Sequence, residues 1–357
     1  MDKIIKNALV DGKLTDVTVR NGKIIKVGKT DCEGEITDLH GKELRAGLFD
    51  IHSHGNSGYD TMDNDRDALR IMSEFELRCG VTSWLPTTMT MPMSEIIRAT
   101  AEIPEKCDGR ANIVGFHMEG PFISPLHNGA QRMEDIILPS ADAMRSVKNI
   151  KMLTLAPELD GADKVIEYCR ENGIAVSIGH TDADYETSAR AIRMGAKCLT
   201  HTFNAMPPLH HRETGPIGAA ITEDAYVQVI CDGKHIHRAA ILALYRIFGA
   251  ERMILISDSM RATGLGDGDF IFGGQKVTVR DCTARTEDGA LAGSTSTLFD
   301  CIMTAISFGI PADDAYRMAS ETPAKLMGLK KGKIAEGYDA EFIVPGEDGK
   351  LESAFIL

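Results

Sequence analysis

No apolar run in this 357-residue chain approaches the roughly 20 residues of a membrane-spanning helix, which argues against a transmembrane span. The opening Met1-Asp2-Lys3-Ile4-Ile5 lacks the apolar segment and cleavage site of a secretory signal. Positive charge is in deficit: 39 Lys and Arg stand against 52 Asp and Glu, a net charge of −13. That balance argues against a nucleic-acid surface, which would be basic. It leaves room for an anionic small molecule, which one local cationic group can hold. None of the eight cysteines forms a CxxC pair, so they read as reduced thiols, with neither a disulfide framework nor a cysteine-type zinc site. Cytoplasm is the expected compartment. No GxGxxG follows the first strand-like run of the central region, and there is neither an internal repeat nor a low-complexity tract.

What is present is an ordinary globular composition, 43% apolar, with enough chain for a large core and a small accessory unit. Lys3–Val10, Thr15–Arg20 and Lys23–Val27 are β-rich and separated by the hairpin dipeptides Asp11-Gly12 and Asn21-Gly22, so antiparallel strands are expected. Gly332-Lys333-Ile334, Ala340–Val344 and Ala354–Leu357 have the same texture. Neither piece is large enough to fold alone. Residues 1–46 and 330–357 are therefore expected to pair into one small β-sandwich, with residues 47–329 inserted between them.

The insertion carries eight apolar strand-like runs: Leu48–His54, Val81–Met89, Ile113–Met118, Met152–Pro157, Ile174–Ile178, Lys197–Thr202, Tyr226–Cys231 and Met253–Ile256. Helical patterns follow most of them, clearest over Arg66–Cys79, Ala162–Asn172 and Tyr185–Met194. Val- and Ile-rich runs without alternation suit parallel strands buried on both faces. Eight βα units in about 250 residues is the count of a (β/α)₈ barrel. Beyond the eighth run, Asp269–Thr283 is expected as a hairpin turning at Gly273-Gly274, and Thr297–Phe308 and Asp313–Ser320 as helices.

A barrel of this kind keeps its active site at the C-terminal ends of its strands. Here those ends read Asp50-Ile51-His52-Ser53-His54, His117-Met118-Glu119, Gly179-His180, His201-Thr202-Phe203-Asn204, Asp232-Gly233-Lys234-His235 and Ser257-Asp258. Period two aims His52 and His54 the same way. A lone histidine at a strand end is usually a satisfied polar residue, and a lone carboxylate usually a cap. Convergence of so many on one face of one barrel points instead to a metal site. Histidines plus a carboxylate, without cysteine, suit catalytic Zn²⁺, Fe²⁺, Mn²⁺ or Co²⁺. His117 is placed equally well for a supporting role. His40, His127, His211 and His237 fall in the terminal strands or in loops. Glu158 and Thr87-Thr88 stand between lining the site and capping structure.

The HxH, the two single histidines and the final aspartate resemble the signature of the amidohydrolase superfamily. The segments His117-Met-Glu-Gly-Pro-Phe122, His201-Thr-Phe-Asn-Ala-Met206, His211-Arg212, Asp232-Gly-Lys-His235 and Leu291-Ala-Gly-Ser294 resemble, within it, the N-acetylglucosamine-6-phosphate deacetylase family. The likeness covers nearly the whole chain. It implies that Glu119, His180 and His201 hold a principal divalent metal and that His52 and His54 hold a second. It implies that Asp258 is the catalytic base and acid, and that Asn204, Ala205 (through its backbone), Arg212 and His235 contact the sugar phosphate. It implies a homodimer, in which Arg212 or a near neighbour reaches the partner's site.

Two departures from the family pattern are visible. Gly129-Ala130-Gln131 stands where many members have Gly-Ala-His, so Gln131 would have to help polarise the acetyl carbonyl without carrying charge. Arg45-Ala46-Gly47 lacks the usual proline before its glycine, which touches a turn and not chemistry. Two rival readings remain. Related hydrolases of cyclic amides or dipeptides often bridge two metals with a carboxylated lysine on strand four, where this chain has Met152-Leu-Thr-Leu-Ala-Pro157, with Lys151 only at its start. A non-catalytic sugar-phosphate sensor is the other, against which the intact Asp258 argues.

Overall fold

The computed structural model describes residues 1–31, 33–63 and 65–357. Eight parallel strands form its centre: β1 (Leu48–Ser53), β2 (Val81–Thr88), β3 (Phe116–Glu119), β4 (Ile150–Leu155), β5 (Ala175–Ile178), β6 (Ala196–Leu199), β7 (Tyr226–Ile230) and β8 (Met253–Ile256). Each pairs with the next in chain order. The ring closes between β8 and β1 just past the strand ends, where Asp258 N–H donates to the His52 carbonyl at 2.9 Å and Ser53 bridges Ser259 in parallel register. This is a (β/α)₈ barrel, and its seam lies at the expected site.

Three of its outer helices are Arg66–Arg78, Ala162–Glu171 and Tyr185–Met194. Their apolar faces join the strands' outer faces in one cluster containing Trp84, Phe116, Leu153, Ile166 and Val229. A second cluster, with Phe49, Ile51, Leu85, Met152, Ile230 and Ile254, fills the lower barrel interior, as packed layers do in this fold. Above it lies a fully buried polar layer that includes Asp50, His117, Thr154, Ser177, Thr200 and Gln228. The site rests on that layer.

The chain ends build two small sheets. Asp2–Val10, Lys13–Arg20, Lys23–Val27 and Gly34–Asp38 form one; Arg45–Ala46, Glu341–Pro345 and Leu351–Ile356 form the other. They share a core of Ile5, Val17, Val19, Ile24, Phe342 and Val344. The three expected strands pair antiparallel, a fourth went unread, and one expected strand fails. Gly34–Asp38 pairs parallel to Asp2–Val10, because the chain crosses to the far edge of the sheet instead of turning back. Gly332-Lys333-Ile334 is a turn: Gly332 has φ +72° and presses so close to the Ser320 backbone that a Cβ would come within 2.3 Å. The hairpin expected over Asp269–Thr283 gains a third strand, giving Gly268–Phe272, Gln275–Arg280 and Thr283–Thr286. Among the described residues no helix is long and apolar enough to cross a membrane.

Candidate active site

The barrel delivers its reactive side chains through backbone turns that cost energy. His180, His201 and Asp258, each just beyond a strand, adopt left-handed φ of 50°, 26° and 47°, and Phe203 and Ala205 follow at 79° and 50°. Such conformations cost about 1–3 kcal/mol each in non-glycine residues and gather where geometry serves function. Gly179 precedes His180 for a steric reason: a Cβ there would lie 2.4 Å from Thr200 Cβ on the neighbouring segment.

Two ligand-type groups result, and they share Glu119. One is Glu119, His180 and His201; the other is His52, His54 and Glu119, all buried. Glu119 Oε1 lies 3.1 Å from His201 Nε2 and 3.4 Å from His180 Nε2, while Oε2 lies 3.2 Å from His54 Nε2. His180 and His201 face each other Nε2 to Nε2 at 3.1 Å, as do His52 and His54 at 3.2 Å. Two nitrogens bound to one zinc at tetrahedral angles lie about 3.4 Å apart, so these spacings fit shared cations. Asp258 Oδ1 is 3.4 Å from His52 Nε2 and 3.3 Å from His54 Nε2.

The outer ring nitrogens assign the tautomers. His180 Nδ1 lies 2.8 Å from the His127 carbonyl, His54 Nδ1 3.2 Å from the Thr87 carbonyl, and His52 Nδ1 3.1 Å from Gln228 Oε1. The two backbone carbonyls can only accept, so Nδ1 of His180 and of His54 carries the hydrogen, and Gln228 with its amide oxygen turned to His52 gives His52 the same arrangement; a neutral ring then turns its Nε2 lone pair inward. Lone pairs aimed at each other repel unless a proton or a cation lies between them. The donor set therefore fits one or two divalent metals. The carboxylates make the same demand: burial alone would lower His54, but Asp258 and Glu119 push it up to about 10, so without a metal a proton takes the place between the facing groups. The same negative potential favours a divalent cation. Burial would likewise raise Glu119 and Asp258, yet the facing histidines hold both below the usual carboxylate range.

A cavity of about 460 Å³ opens over this cluster, and Gln131, Asn204, Ala205 and His235 line it with His54, Glu119, His180, His201 and Asp258. Phe272 and Leu291, from the segment after β8, form an apolar wall, Phe272 standing edge-on to His54 at 5.2 Å. Gln131 is held by its amide to Glu119 and to the Thr90 backbone. His235 Nδ1 is 2.7 Å from Asp232 Oδ2. Arg212 is not brought into this cavity; it is exposed and borders a separate hollow with Asp182, His210 and Glu213. Among the described residues lining the cavity there is no lysine or arginine.

Several open readings close. Both ring nitrogens of His117 are engaged, 3.0 Å from the Ile51 carbonyl and 2.7 Å from Thr154 Oγ1. It therefore packs beneath His52 and cannot reach an acetyl carbonyl in the cavity. Glu158 caps the loop after β5, accepting from Thr181 Oγ1 and from the Asp182 N–H at 2.7 Å. Lys151 is exposed at the start of β4 and bridges nothing in the cluster. Gln228 and the His127 carbonyl went unread in the sequence. Gln228 had a signal, a lone amide inside the apolar run Tyr226-Val-Gln-Val-Ile230; a backbone carbonyl has none.

A barrel with this histidine–carboxylate cluster at its C-terminal rim defines a metal-dependent hydrolase architecture. The family profile described as "Amidohydrolase family" matches residues 44–355. The chain belongs to the amidohydrolase family. Its relatives narrow the resemblance. It is 37% identical to the N-acetylglucosamine-6-phosphate deacetylase of Bacillus subtilis, over 97% of this chain and 91% of that one. It is 34% identical to the N-acetylgalactosamine-6-phosphate deacetylase of Escherichia coli O157:H7, over 84% of each. The solved N-acetylglucosamine-6-phosphate deacetylase of Pasteurella multocida superposes with a TM-score of 0.91 at 29% identity, covering 100% of this chain and 98% of that one.

Proposed function

We propose that this protein hydrolyses the acetamide of N-acetyl-D-glucosamine 6-phosphate to D-glucosamine 6-phosphate and acetate, in amino-sugar catabolism. The observation that carries the reading is Asp258, a buried carboxylate at the rim of a five-ligand cluster, in a chain over a third identical to a deacetylase of that substrate. Glu119, His180 and His201 would hold the principal metal, with His52 and His54 holding a second; zinc is the metal this donor set suits best. A divalent cation held there lowers the pKa of a water towards about 7 and polarises a carbonyl.

The chain's own groups supply the proton movements. Asp258 enters the reaction ionised. Its carboxylate accepts a proton from the attacking water as the C–O bond forms at the acetyl carbon. It returns that proton to the glucosamine nitrogen as the C–N bond breaks, so one carboxyl serves as base and then acid. Phe272 and Leu291 keep bulk water from the acetyl group. Asn204, the Ala205 backbone and His235 line the sugar's side of the cavity. The 6-phosphate needs a cation that the described lining lacks, which supports a homodimer in which Arg212 of one copy reaches the other's cavity. A cytoplasmic setting is part of the same reading. The galactosamine epimer is the second reading, supported by the 34% relative that carries that substrate in its name.

The test is acetate release from N-acetylglucosamine, its 6-phosphate and the 6-phosphate of N-acetylgalactosamine, with zinc-loaded protein. The expected result is preference for the phosphorylated glucosamine substrate. Arg212→Ala should raise its KM by about 10- to 100-fold, the worth of one charge-assisted hydrogen bond, and leave the unphosphorylated sugar unaffected. Faster turnover of the galactosamine epimer would install the second reading. No acetate release from any of the three would defeat both.

A further inference from the structure

Gln131 occupies the cavity wall at 3% exposure, and each part of its amide has a partner. Its Oε1 accepts the Thr90 backbone N–H at 2.6 Å and its Nε2 donates to Glu119 Oε2 at 2.7 Å. The orientation of the amide is decided by chemistry: a backbone N–H can only donate, so the atom facing Thr90 must be the oxygen. The nitrogen then faces Glu119, which as a carboxylate can only accept. The second N–H points to Met89 Sδ at 3.8 Å, a weak acceptor.

The segment carrying Gln131 is itself tied down. Its backbone carbonyl accepts from Asn128 Nδ2 at 2.9 Å, and the adjacent Ala130 carbonyl accepts from Gln275 Nε2 at 3.0 Å. Gln275 lies on the strand Gln275–Arg280, beyond the barrel. An anchor fixed at both its backbone and its oxygen offers a fixed donor.

What that donor does follows from the freedom of a carboxylate. The last torsion of a glutamate is broad, so two oxygens can exchange places or tilt at little cost. Here they are divided: Oε2 meets His54, while Oε1 meets His180 and His201 and also lies 3.4 Å from His52 Nε2. We infer that Gln131 is a positioning residue for Glu119, holding the carboxylate plane so that its two oxygens serve the two histidine pairs at once. It does so from the position that would otherwise help polarise the acetyl carbonyl. The inference rests on Glu119 being a metal ligand, as proposed above. Because Gln131 and His54 meet the same oxygen, the His52–His54 side depends on it, through His54, more than the His180–His201 side does, which meets only Oε1.

The experiment is titration of the metal-stripped full-length protein with Zn²⁺ against a competing chelator. Thermal unfolding of the stripped protein is followed alongside, for the parent, Gln131→Glu, Gln131→Leu and Glu119→Ala. Gln131→Glu preserves shape but replaces the donor with an acceptor; Gln131→Leu removes both. Supporting partners of metal ligands typically contribute 10- to 100-fold in affinity. The expected result is that the weaker equivalent loses about that much in both Gln131 variants, while the tighter one moves several-fold less and Tm stays near the parent's. Three results overturn the inference. The first is metal affinities unchanged in both variants, whatever happens to activity. The second is unchanged metal binding with a raised KM, which would give Gln131 to the substrate. The third is a parallel loss of both equivalents together with a lowered Tm, which would make it a loop anchor only. Glu119→Ala separates the layers: if it binds zinc like the parent, the ligand assignment itself fails, whereas if it alone loses zinc, only the role of Gln131 does.

Discussion

Asp258→Asn should give a folded protein that binds zinc and substrate as the parent does but turns over about 10²–10⁴ times more slowly. Asparagine is nearly isosteric, and the two backbone bonds that place residue 258, its N–H to the His52 carbonyl and its carbonyl to the Ser294 N–H, do not involve the side chain. The left-handed φ of 47° is also tolerated by asparagine, one of the residue types enriched there. What disappears is proton acceptance. Burial would raise the Asp258 carboxyl, but His52 and His54 keep it low, so the parent enters the cycle as carboxylate, and an amide cannot imitate that. The measurement is kcat and KM with bound metal quantified on the same sample. Parent-like turnover at full metal content would refute the proton-transfer role. Loss of metal together with activity would assign Asp258 to metal retention instead.

The second large effect is expected at Glu119, the residue common to both ligand groups. Glu119→Ala should bind less than one equivalent of zinc and lose activity well beyond the roughly 100-fold that a ligand's supporting partner contributes. The double variant His52→Ala/His54→Ala should keep one equivalent, because Glu119, His180 and His201 remain. Thermal unfolding gives an independent reading. Zinc at 100 times its Kd stabilises the parent by about 2.7 kcal/mol, so its Tm rises with added zinc, and the Glu119→Ala protein should show almost no such rise. If the double variant loses all zinc, the two groups are not separable, and a single site formed jointly by both pairs replaces them.

Which residues meet at the rim was readable because barrels sort chemistry by position. Apolar runs with histidine or carboxylate at their ends could be counted, and the period of two gave His52 and His54 the same direction. The fold class was legible for the same reason, since eight buried parallel strands leave a pattern of unbroken apolar runs. The supporting contacts were much less so. Gln228 sits a long way from His52 in sequence, and only closure of the ring sets its Oε1 at 3.1 Å from His52 Nδ1.

By itself, then, the sequence determined most element types and the candidate ligands, because hydrophobic periodicity and side-chain chemistry are local properties. Tertiary structure alone decided how each group is used. Gln131 reads as a substrate contact in the chain and hydrogen-bonds to Glu119 in the fold, because loop 128–131 is pinned by Gln275 from another element. Arg212 reads as a sugar-phosphate contact whose subunit the sequence leaves open, and it lies outside the cavity of its own chain. The parallel course of Gly34–Asp38 and the turn at Gly332 have the same origin. Strand propensity describes a residue's own backbone, whereas pairing direction and close approach are set by whichever segment arrives beside it.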